Sequence, residues 1–550
     1  MFKKSVACIL ILAMLGPTAC SRDEGPSAIH KSATGSGESS SGGGSADTSK
    51  DSAIEGFTSD GTAYIIDESG NKVAVKPGDA VSGGTVQVNS DGTITIVPEN
   101  KSSSAKPAAS SAAASAAEKP PNFTAKELIY NVGMCVTENY SPRDTAASVK
   151  KRTDLYKEFG LKTVRVATLW GSIEPLKEGT VMRPSDYNYL TWLKNNGMRF
   201  KVIVGAVSSI PNWYLQKYPD AVLLGNDGRP TANGGDGTNL VKSINSVTYL
   251  MPGLREQLDR SVENIMKFYV ETGLINAVDS IVIDMGPAGE ALYPPGWTQV
   301  PNGLYGAPTV ERFWCYDKYM QADFRRAMKE KYGTIAAANA AWGKNKAGVQ
   351  AKYTSFDALT VPLPNTHAGT MWNDVLTWYR QLKRNFIEEN LKSYKRIVDK
   401  YSGGRIKLIV YLPGNEEGLD TKWQNSVNSG GAYGTSDIMV KVMADSRFIM
   451  DKAVQKGCYV QYTGAENDSE VKFLKKYMAD RGYNVPLFGE NAGGYDMGEH
   501  MDVVVDVIIN NGLQGIDITH DQWIHTNNAA NQHYNGIKSN LKRLEAYLLK

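Results

Sequence analysis

Apolar residues fall into eight short runs within residues 122–550. The runs are rich in β-branched residues, which is typical of strands buried on both faces of a parallel sheet. They cover 128–136, 163–169, 200–207, 280–285, 406–412, 458–462, 485–488 and 515–519. Between them, apolar residues recur at spacings of three and four, as at Tyr379, Leu382 and Phe386, which indicates helices. Alternating strands and helices form βα units, so the pattern predicts an α/β fold, a (β/α)8 TIM barrel over 122–550.

The chain before residue 122 has a different pattern. Residues 53–98 contain short alternating segments separated by Asp-Gly and Ser-Gly turns, which predicts a small all-β module. The module has few aromatic residues, so we interpret it as a spacer rather than a carbohydrate-binding domain. Residues 20–52 and 99–121 consist mainly of small and polar residues. Such segments cannot bury enough apolar area to offset their ordering entropy, and we expect disordered linkers.

Residues 1–19 have the features of a signal peptide. Two lysines precede an apolar stretch that is too short to span a bilayer. Cys20 follows the small residues Thr18 and Ala19, and it resembles the lipidated cysteine of bacterial lipoproteins. Pro17 replaces the usual leucine of that signal, so secretion with a cleavage nearby is the alternative. We expect a lipid at Cys20 that anchors the protein to the cell membrane on its extracytoplasmic face.

The segment 279–295 combines a buried strand with a carboxylate. The strand-like run ends at glycine and proline, and Glu290 follows. Barrel enzymes keep their catalytic groups in such loops after the strands. Tyr293 and Trp297 offer flat apolar faces on which sugar rings can stack. The alternative is an ordinary loop glutamate that caps the next helix.

Four short motifs occur along the chain in the same order as in a known enzyme family. They are GPAGE at 286–290, CYDKY at 315–319, ADF at 322–324 and GENA at 489–492. These motifs resemble those of the β-amylases, glycoside hydrolase family 14, and the resemblance extends unevenly from about Tyr130 to about Trp523. It implies a (β/α)8 barrel that hydrolyses an α-1,4-glucan from the non-reducing end with inversion.

Glycosidic cleavage requires two carboxyl groups that flank the bond. The resemblance implies that Glu290 is the general acid and Glu490 the general base. It also implies that Asn491 and Ala492 contact the sugar at the cleavage point, and that Lys407 holds a substrate hydroxyl. A lysine near the start of a strand is usually solvated, which is the alternative for Lys407.

The sequence departs from the β-amylase pattern where that family binds glucose. Ala167 stands in place of a sugar-binding aspartate, and the segment after Val207 is too short for the family's loop with its histidine and second aspartate. His520 and Asp521 stand in place of an arginine. We therefore expect Glu290 and Glu490 to be retained for catalysis on a sugar whose identity the sequence does not give.

A second resemblance concerns KYGTI at 331–335 and NAAWG at 339–343. These segments are similar to the family 42 β-galactosidases, which are retaining enzymes on the same kind of barrel. In that family an asparagine precedes the acid, whereas Gly289 precedes Glu290 here. A retaining β-galactosidase-like activity is the alternative to the β-amylase-like one.

Several other side chains are candidates for the site. Glu416, Glu417 and Glu466 follow predicted strands and compete as bases, although a solvated loop position is the favoured interpretation of each. Four tryptophans lie near strand ends, where they could stack on sugars or fill the core. They are Trp170, Trp213, Trp297 and Trp523.

Composition narrows the range of partners. The chain has 60 basic and 58 acidic residues, a balance that gives no electrostatic reason to bind nucleic acid. The six histidines lack the paired spacing of metal ligands, and we expect no metal and no cofactor. We expect a monomer that acts on an uncharged carbohydrate. A second class of function, a non-catalytic carbohydrate-binding lipoprotein, is the alternative to an enzyme.

Overall fold

The computed structural model describes most of the chain after residue 117 and short strands before it. It describes the backbone of 54–57, 63–66, 72–75, 80–81, 84–88 and 94–97, and residues 118–138, 141, 143–207, 209–228, 247–286, 289–293, 313–414, 419–432, 438–491, 495–521, 524 and 534–550. The signal peptide, Cys20, the linker 20–52 and most of the linker 99–121 lie outside the described residues.

The region before the barrel contains two small antiparallel sheets. The first pairs β1 (Ile54–Phe57), β2 (Ala63–Ile66) and β3 (Lys72–Val75). The second pairs β4 (Ala80–Val81), β5 (Gly84–Val88) and β6 (Ile94–Val97). Short alternating strands joined by Gly-containing turns form such hairpins because tight turns favour antiparallel pairing.

Eight parallel strands close into a barrel, which confirms the predicted fold class. The strands are β7 (Met134–Thr137), β8 (Thr163–Leu169), β9 (Arg199–Gly205), β10 (Val278–Ile283), β11 (Lys407–Leu412), β12 (Tyr459–Tyr462), β13 (Leu487–Glu490) and β14 (Ile516–Thr519). They pair in sequence order, and β14 pairs with β7 to close the ring. At this closure the backbones of Gly133 and Gly515 touch, and a Cβ on Gly515 would lie only 2.2 Å from the Cα of Gly133.

Helices follow most of the strands and surround the barrel. Those in the described residues are α1 (Ala125–Gly133), α2 (Ala146–Glu158), α3 (Trp170–Ile173), α4 (Tyr187–Asn195), α5 (Asn212–Lys217), α6 (Leu254–Glu271), α7 (Lys318–Tyr332), α8 (Ile335–Trp342), α9 (Thr370–Ser402), α10 (Leu419–Ser429), α11 (Ile438–Lys441), α12 (Ser446–Gln455), α13 (Asp468–Arg481), α14 (Met497–Asn510) and α15 (Tyr534–Leu548). None of the described helices combines the length and apolarity that crossing a bilayer would require.

The prediction of a strand over 128–136 is wrong for most of that segment. Residues 125–133 form α1, and only the end of the run enters β7. Thr124 and Glu127 form a capping box, in which each side chain accepts a hydrogen bond from the other's backbone N–H. This exchange satisfies two backbone donors that the first turn leaves free, so it favours a helix start at this point.

Helix α1 lies at the amino-terminal end of the barrel. Val132 is fully buried against inward-facing side chains that include Ile203, Val282 and Phe488. Asn131 donates a hydrogen bond to Asp279, the second residue of β10, at 3.1 Å. The opposite end, where the strands finish, is therefore the end at which side chains can meet a ligand.

Candidate active site

Glu290 and Glu490 lie together at the carboxyl-terminal end of the barrel. Glu490 is the last residue of β13, and Glu290 lies in the loop after β10. Each is only 6% exposed. Gln461 donates to Glu490 and Thr463, two residues later, donates to Glu290, so the two carboxyl groups are neighbours. The structure thus brings together the two carboxylates that the sequence singled out.

The environment of Glu290 favours its protonated form. Burial raises its pKa from an ordinary value of 4.5 to about 7, and Glu490 adds to the rise, while Thr463 and Arg165 oppose it. The hydroxyl of Thr463 donates to Oε1 at 2.5 Å. Oε2 is buried and has no hydrogen-bond partner among the described residues. Glu290 can therefore keep a proton near neutral pH and present it at Oε2.

The environment of Glu490 suits an ionised carboxylate. Oε1 accepts hydrogen bonds from the Arg165 guanidinium at 2.5 Å and from the Thr519 hydroxyl at 2.9 Å. Oε2 accepts from the Gln461 amide at 2.7 Å. All three partners are donors and one carries a positive charge, which is the arrangement that an anionic acceptor needs. The two glutamates thus have the contrasting surroundings of an acid and a base.

A buried ionic network lies beneath Glu490 inside the barrel. Asp517 of β14 accepts from Lys201 of β9 at 3.5 Å, and it lies 3.4 Å from the Arg165 guanidinium. Burial alone would raise the pKa of Asp517, yet Arg165 and Lys201 hold it below its ordinary value. Lys201 also donates to Gln461 at 2.9 Å, which turns the Gln461 amide toward Glu490.

The sequence analysis missed these supporting residues, although a signal was present. Arg165, Lys201 and Asp517 each place a charge within an apolar run, and all three are buried together with their neighbours in the strand. Charges buried in the middle of a strand need partners, and a closed barrel provides them from other strands.

Strand β12 and the residue that follows it contact the two glutamates. Gln461 lies within the strand and donates to Glu490, and Thr463, two residues later, donates to Glu290. Side chains two residues apart point to the same face of a strand. One short segment therefore positions both carboxyl groups.

Comparison with known proteins assigns the family. The sequence profile of glycosyl hydrolase family 14 matches residues 140–414, which is half of the chain. The chain belongs to glycosyl hydrolase family 14. The family resemblance predicted from the four motifs is thus confirmed.

The relatives match over different lengths. A thermophilic beta-amylase of Thermoanaerobacterium thermosulfurigenes is 35% identical over 119 residues, 20% of this chain and 19% of that protein. A beta-amylase of Bacillus cereus is 22% identical over 397 residues, 68% of this chain and 67% of the relative. Beta-galactosidase BgaA of Thermus sp. is 26% identical over 268 residues, 48% of this chain and 35% of that protein. The chain thus spans only about a fifth of the length of the thermophilic beta-amylase.

Solved structures share the fold. The catalytic domain of the beta-amylase from Paenibacillus polymyxa superposes with a TM-score of 0.57 at 18% identity, covering 74% of this chain and 98% of that domain. A beta-galactosidase from Rahnella sp. R3 superposes with a TM-score of 0.50 at 16% identity, covering 76% of this chain and 56% of the other.

Lys407 does not lie near Glu290 and Glu490. It is the first residue of β11 and pairs in register with Ser280, near the start of β10. Glu290 and Glu490 lie at the other end of the strands, about 16 Å away for five residues of strand. This position contradicts the predicted contact between Lys407 and a substrate hydroxyl. Lys407 lies at the rim of the barrel where the strands begin.

Two aromatic residues predicted to bind sugar are core residues instead. Trp170 is fully buried, donates to Glu174 at 2.8 Å and packs edge-on against Trp213. Tyr293 is also fully buried and stacks on Tyr379 with ring centres 4.1 Å apart. The Tyr293 hydroxyl donates to the Tyr379 carbonyl at 3.0 Å. These rings fill the space between helices and loops, so they present no face to a sugar.

The side chain of Asn491 bonds to the backbone of the neighbouring strand β14. Asn491 follows Glu490 and is buried, and its side-chain oxygen accepts from the Thr519 backbone N–H at 2.8 Å. Its amide donates to the Thr519 carbonyl. Asn491 thus joins the ends of β13 and β14. The other predicted site residues Ala492 and Trp297, and the alternatives Glu416, Glu417 and Trp523, lie outside the described residues.

His520 lies beside the pair at the end of β14. It is buried, and neither ring nitrogen has a hydrogen-bond partner among the described residues. Burial, together with the charge of Arg165, lowers the pKa of His520 to about 4, so the ring is neutral near pH 7. A neutral imidazole offers one donor and one acceptor. In the part of the chain that the structure describes, no cluster of three acidic, histidine or cysteine side chains is arranged to bind a metal.

Proposed function

We propose that the protein is a glycoside hydrolase that cleaves its substrate with inversion, with Glu290 as general acid and Glu490 as general base. The contrast between the two carboxyl groups carries this proposal. Glu290 has a raised pKa and an unpartnered oxygen within the described site. Glu490 accepts hydrogen bonds from Arg165, Gln461 and Thr519. Family membership supports the reaction class.

In this mechanism, Oε2 of Glu290 gives its proton to the glycosidic oxygen as the bond to the anomeric carbon breaks. A water molecule attacks the anomeric carbon from the opposite face and passes a proton to Glu490. The donors around Glu490 hold the carboxylate in place while it accepts this proton. The products are two shortened sugars, and the new reducing end has the anomeric configuration opposite to that of the bond cleaved.

The substrate class follows from the surroundings of the pair. We propose an oligosaccharide or polysaccharide of uncharged sugars, with an α-1,4-glucan as the first candidate because the relatives include beta-amylases. The departures at Ala167 and at His520 and Asp521 lie where β-amylases bind glucose, so an uncharged sugar other than glucose is the second candidate.

The first test replaces each carboxyl group by an amide of the same shape. On a substrate found by screening α- and β-linked oligosaccharides, Glu290→Gln and Glu490→Gln should each lower kcat by roughly 10²- to 10⁴-fold, because each variant cannot transfer the proton. Glu330→Gln, which changes an exposed glutamate of α7, is the matched control and should retain activity. Near-normal turnover by both site variants would reject the assignment. Binding without turnover by the unmodified protein would favour a carbohydrate-binding role.

The second test determines the stereochemistry. A proton spectrum taken in the first minutes, before mutarotation, should show the inverted anomer. Inverting enzymes hold their carboxyl groups about 6.5 to 9.5 Å apart to admit water, and retaining enzymes hold them about 5 to 5.5 Å apart. A retained anomer would make Glu490 a nucleophile, as in the β-galactosidase-like alternative that the similarity to the Thermus enzyme favours.

We also propose that the mature protein is a lipoprotein whose lipidated Cys20 places the barrel outside the cell. The support is the sequence of residues 1–19, which has a basic start, a short apolar stretch and small residues before the cysteine. A polysaccharide is too large to enter a cell intact, so an external enzyme suits such a substrate.

A further inference from the structure

The described residues on the two sides of Glu290, up to Gly286 and from Gly289 onward, lie close together. The loop that carries Glu290 leaves β10 through Met285 and returns at Leu292, and within it the Leu292 N–H donates to the Glu290 carbonyl at 2.8 Å. A Cβ on Gly286 would lie 2.5 Å from the Leu292 carbonyl oxygen. The two ends of the loop thus approach each other closely, and the position of Glu290 depends on how firmly they are held.

Lys383 of α9 bonds to both ends of this loop. Its ammonium donates to the Met285 carbonyl at 2.8 Å and to the Leu292 carbonyl at 2.7 Å. The third hydrogen bond goes to the Tyr249 hydroxyl at 3.1 Å. An ammonium has three donors, so these three acceptors satisfy it completely. Lys383 is fully buried.

The three acceptors of Lys383 are two carbonyl groups and a phenol, and none of them is a carboxylate. Burial lowers the pKa of Lys383 to about 7, and Cys315 and Asp284 oppose the change. A buried amine without a paired carboxylate is costly, and an apolar residue of similar length would fill the same space. The contacts that distinguish lysine from such a residue are the bonds to the loop.

Other residues of α9 contact the same region. Asn390 donates to the Asp284 carbonyl at 3.3 Å, and the Tyr379 carbonyl accepts from Tyr293, directly after the loop. Tyr379, Lys383 and Asn390 are four and seven residues apart, so they share one face of the helix. The middle part of the 33-residue helix thus supports the segment around Glu290.

We infer that Lys383 is a positioning residue for the general acid: it fixes Glu290 at the glycosidic oxygen by holding both ends of the loop, without touching the substrate. This inference rests on the proposed role of Glu290. Displacement of a reacting group by about 1 Å can reduce a rate about 100-fold, so a loosened loop would lower kcat while leaving substrate binding nearly intact.

The test compares two substrates that differ in their need for the acid. An oligosaccharide needs protonation of its leaving group, whereas the glycosyl fluoride of the same sugar needs much less. Lys383→Met keeps the length of the side chain but removes its donors. We expect it to lower kcat on the oligosaccharide by about ten- to a hundredfold, with KM and fluoride hydrolysis each within about threefold of the unmodified protein. Lys383→Gln retains amide donors and should recover part of the loss.

A double-mutant cycle separates positioning from general damage. In the Glu290→Gln background, Lys383→Met should lower kcat on the oligosaccharide by less than about threefold. The acid is already absent in that background, so its position no longer affects the rate. Leu391→Ala, a buried change in the same helix, controls for lost stability and should show no selectivity between the substrates. Equal losses on both substrates, or losses that multiply with Glu290→Gln, would overturn the inference. Full activity of Glu290→Gln alone would instead reject the proposed function.

Discussion

At the scale of single residues, the environment that suits Glu290 for the proposed role of general acid also lowers the stability of the fold. Its carboxyl group is buried with one oxygen unpartnered among the described residues, and its pKa is about 7 against 4.5 in an ordinary setting. The folded state therefore binds this proton more tightly than the unfolded state does. Stability falls as pH rises through the interval between the two pKa values, and the full cost applies above pH 7.

Glu290→Gln should therefore stabilise the protein at pH 8. The expected gain in the free energy of unfolding is on the order of 3 kcal/mol, from 2.5 pH units at about 1.4 kcal/mol each. The gain should shrink as pH falls and vanish below about pH 4.5, where both states carry the proton. Denaturant titration at several pH values measures it. Glu490→Gln is the contrasting variant and should cost roughly 3 kcal/mol, because it leaves Arg165 buried without one of its two carboxylate partners. A destabilised Glu290→Gln at pH 8 would contradict the burial argument.

At the scale of elements, the sequence predicted seven of the eight strands, and both ends of each agree with the structure to within two residues. These runs are apolar on both faces, which few other elements allow. The run at 128–136 is apolar as well, but the capping box of Thr124 and Glu127 starts a helix there, and most of the run is therefore helical. The two glutamates of the proposed catalytic pair could be singled out from sequence because each lies at or just beyond the end of a strand within a family motif.

The supporting side chains were harder to predict from sequence. Aromatic residues near strand ends suit either a sugar or the core, and burial of Trp170 and Tyr293 is decided by helices distant in sequence. The partners of Glu490 come from β8, β12 and β14. Their contacts depend on the stagger of the closed barrel, which local patterns do not encode.

The closure between β14 and β7 gives a prediction for these elements. Gly515 has φ +141° and touches the backbone of Gly133, so Gly515→Ala adds a methyl group where neither backbone can yield. We expect a loss of about 3 kcal/mol in the free energy of unfolding, at the upper end of the usual cost of overpacking. Gly536→Ala, which meets no atom within 4 Å, is the matched control and should be nearly neutral. Equal denaturation midpoints for the two variants would show that the closure is not tight.

At the scale of the whole molecule, the proposed anchor determines where the enzyme acts. Cys20→Ala should move the protein from the membrane fraction to the soluble or unprocessed fraction, because the acyl chains that supply membrane affinity are lost. Fractionation and immunoblotting measure the change, with Cys135→Ala as a control cysteine that is buried in the barrel. Membrane retention of the Cys20 variant equal to that of the control would reject the anchor.

The shared support on β12 has a consequence for how such an enzyme can diverge. Gln461 of β12 and Thr463, just beyond its end, bind the proposed base and the proposed acid, and alternate residues of an extended segment are about 7 Å apart. Rim side chains can be exchanged, and loops lengthened or trimmed, without disturbing that interval. New substrate preferences can thus arise by variation around the mouth, while the reaction chemistry is inherited as a unit.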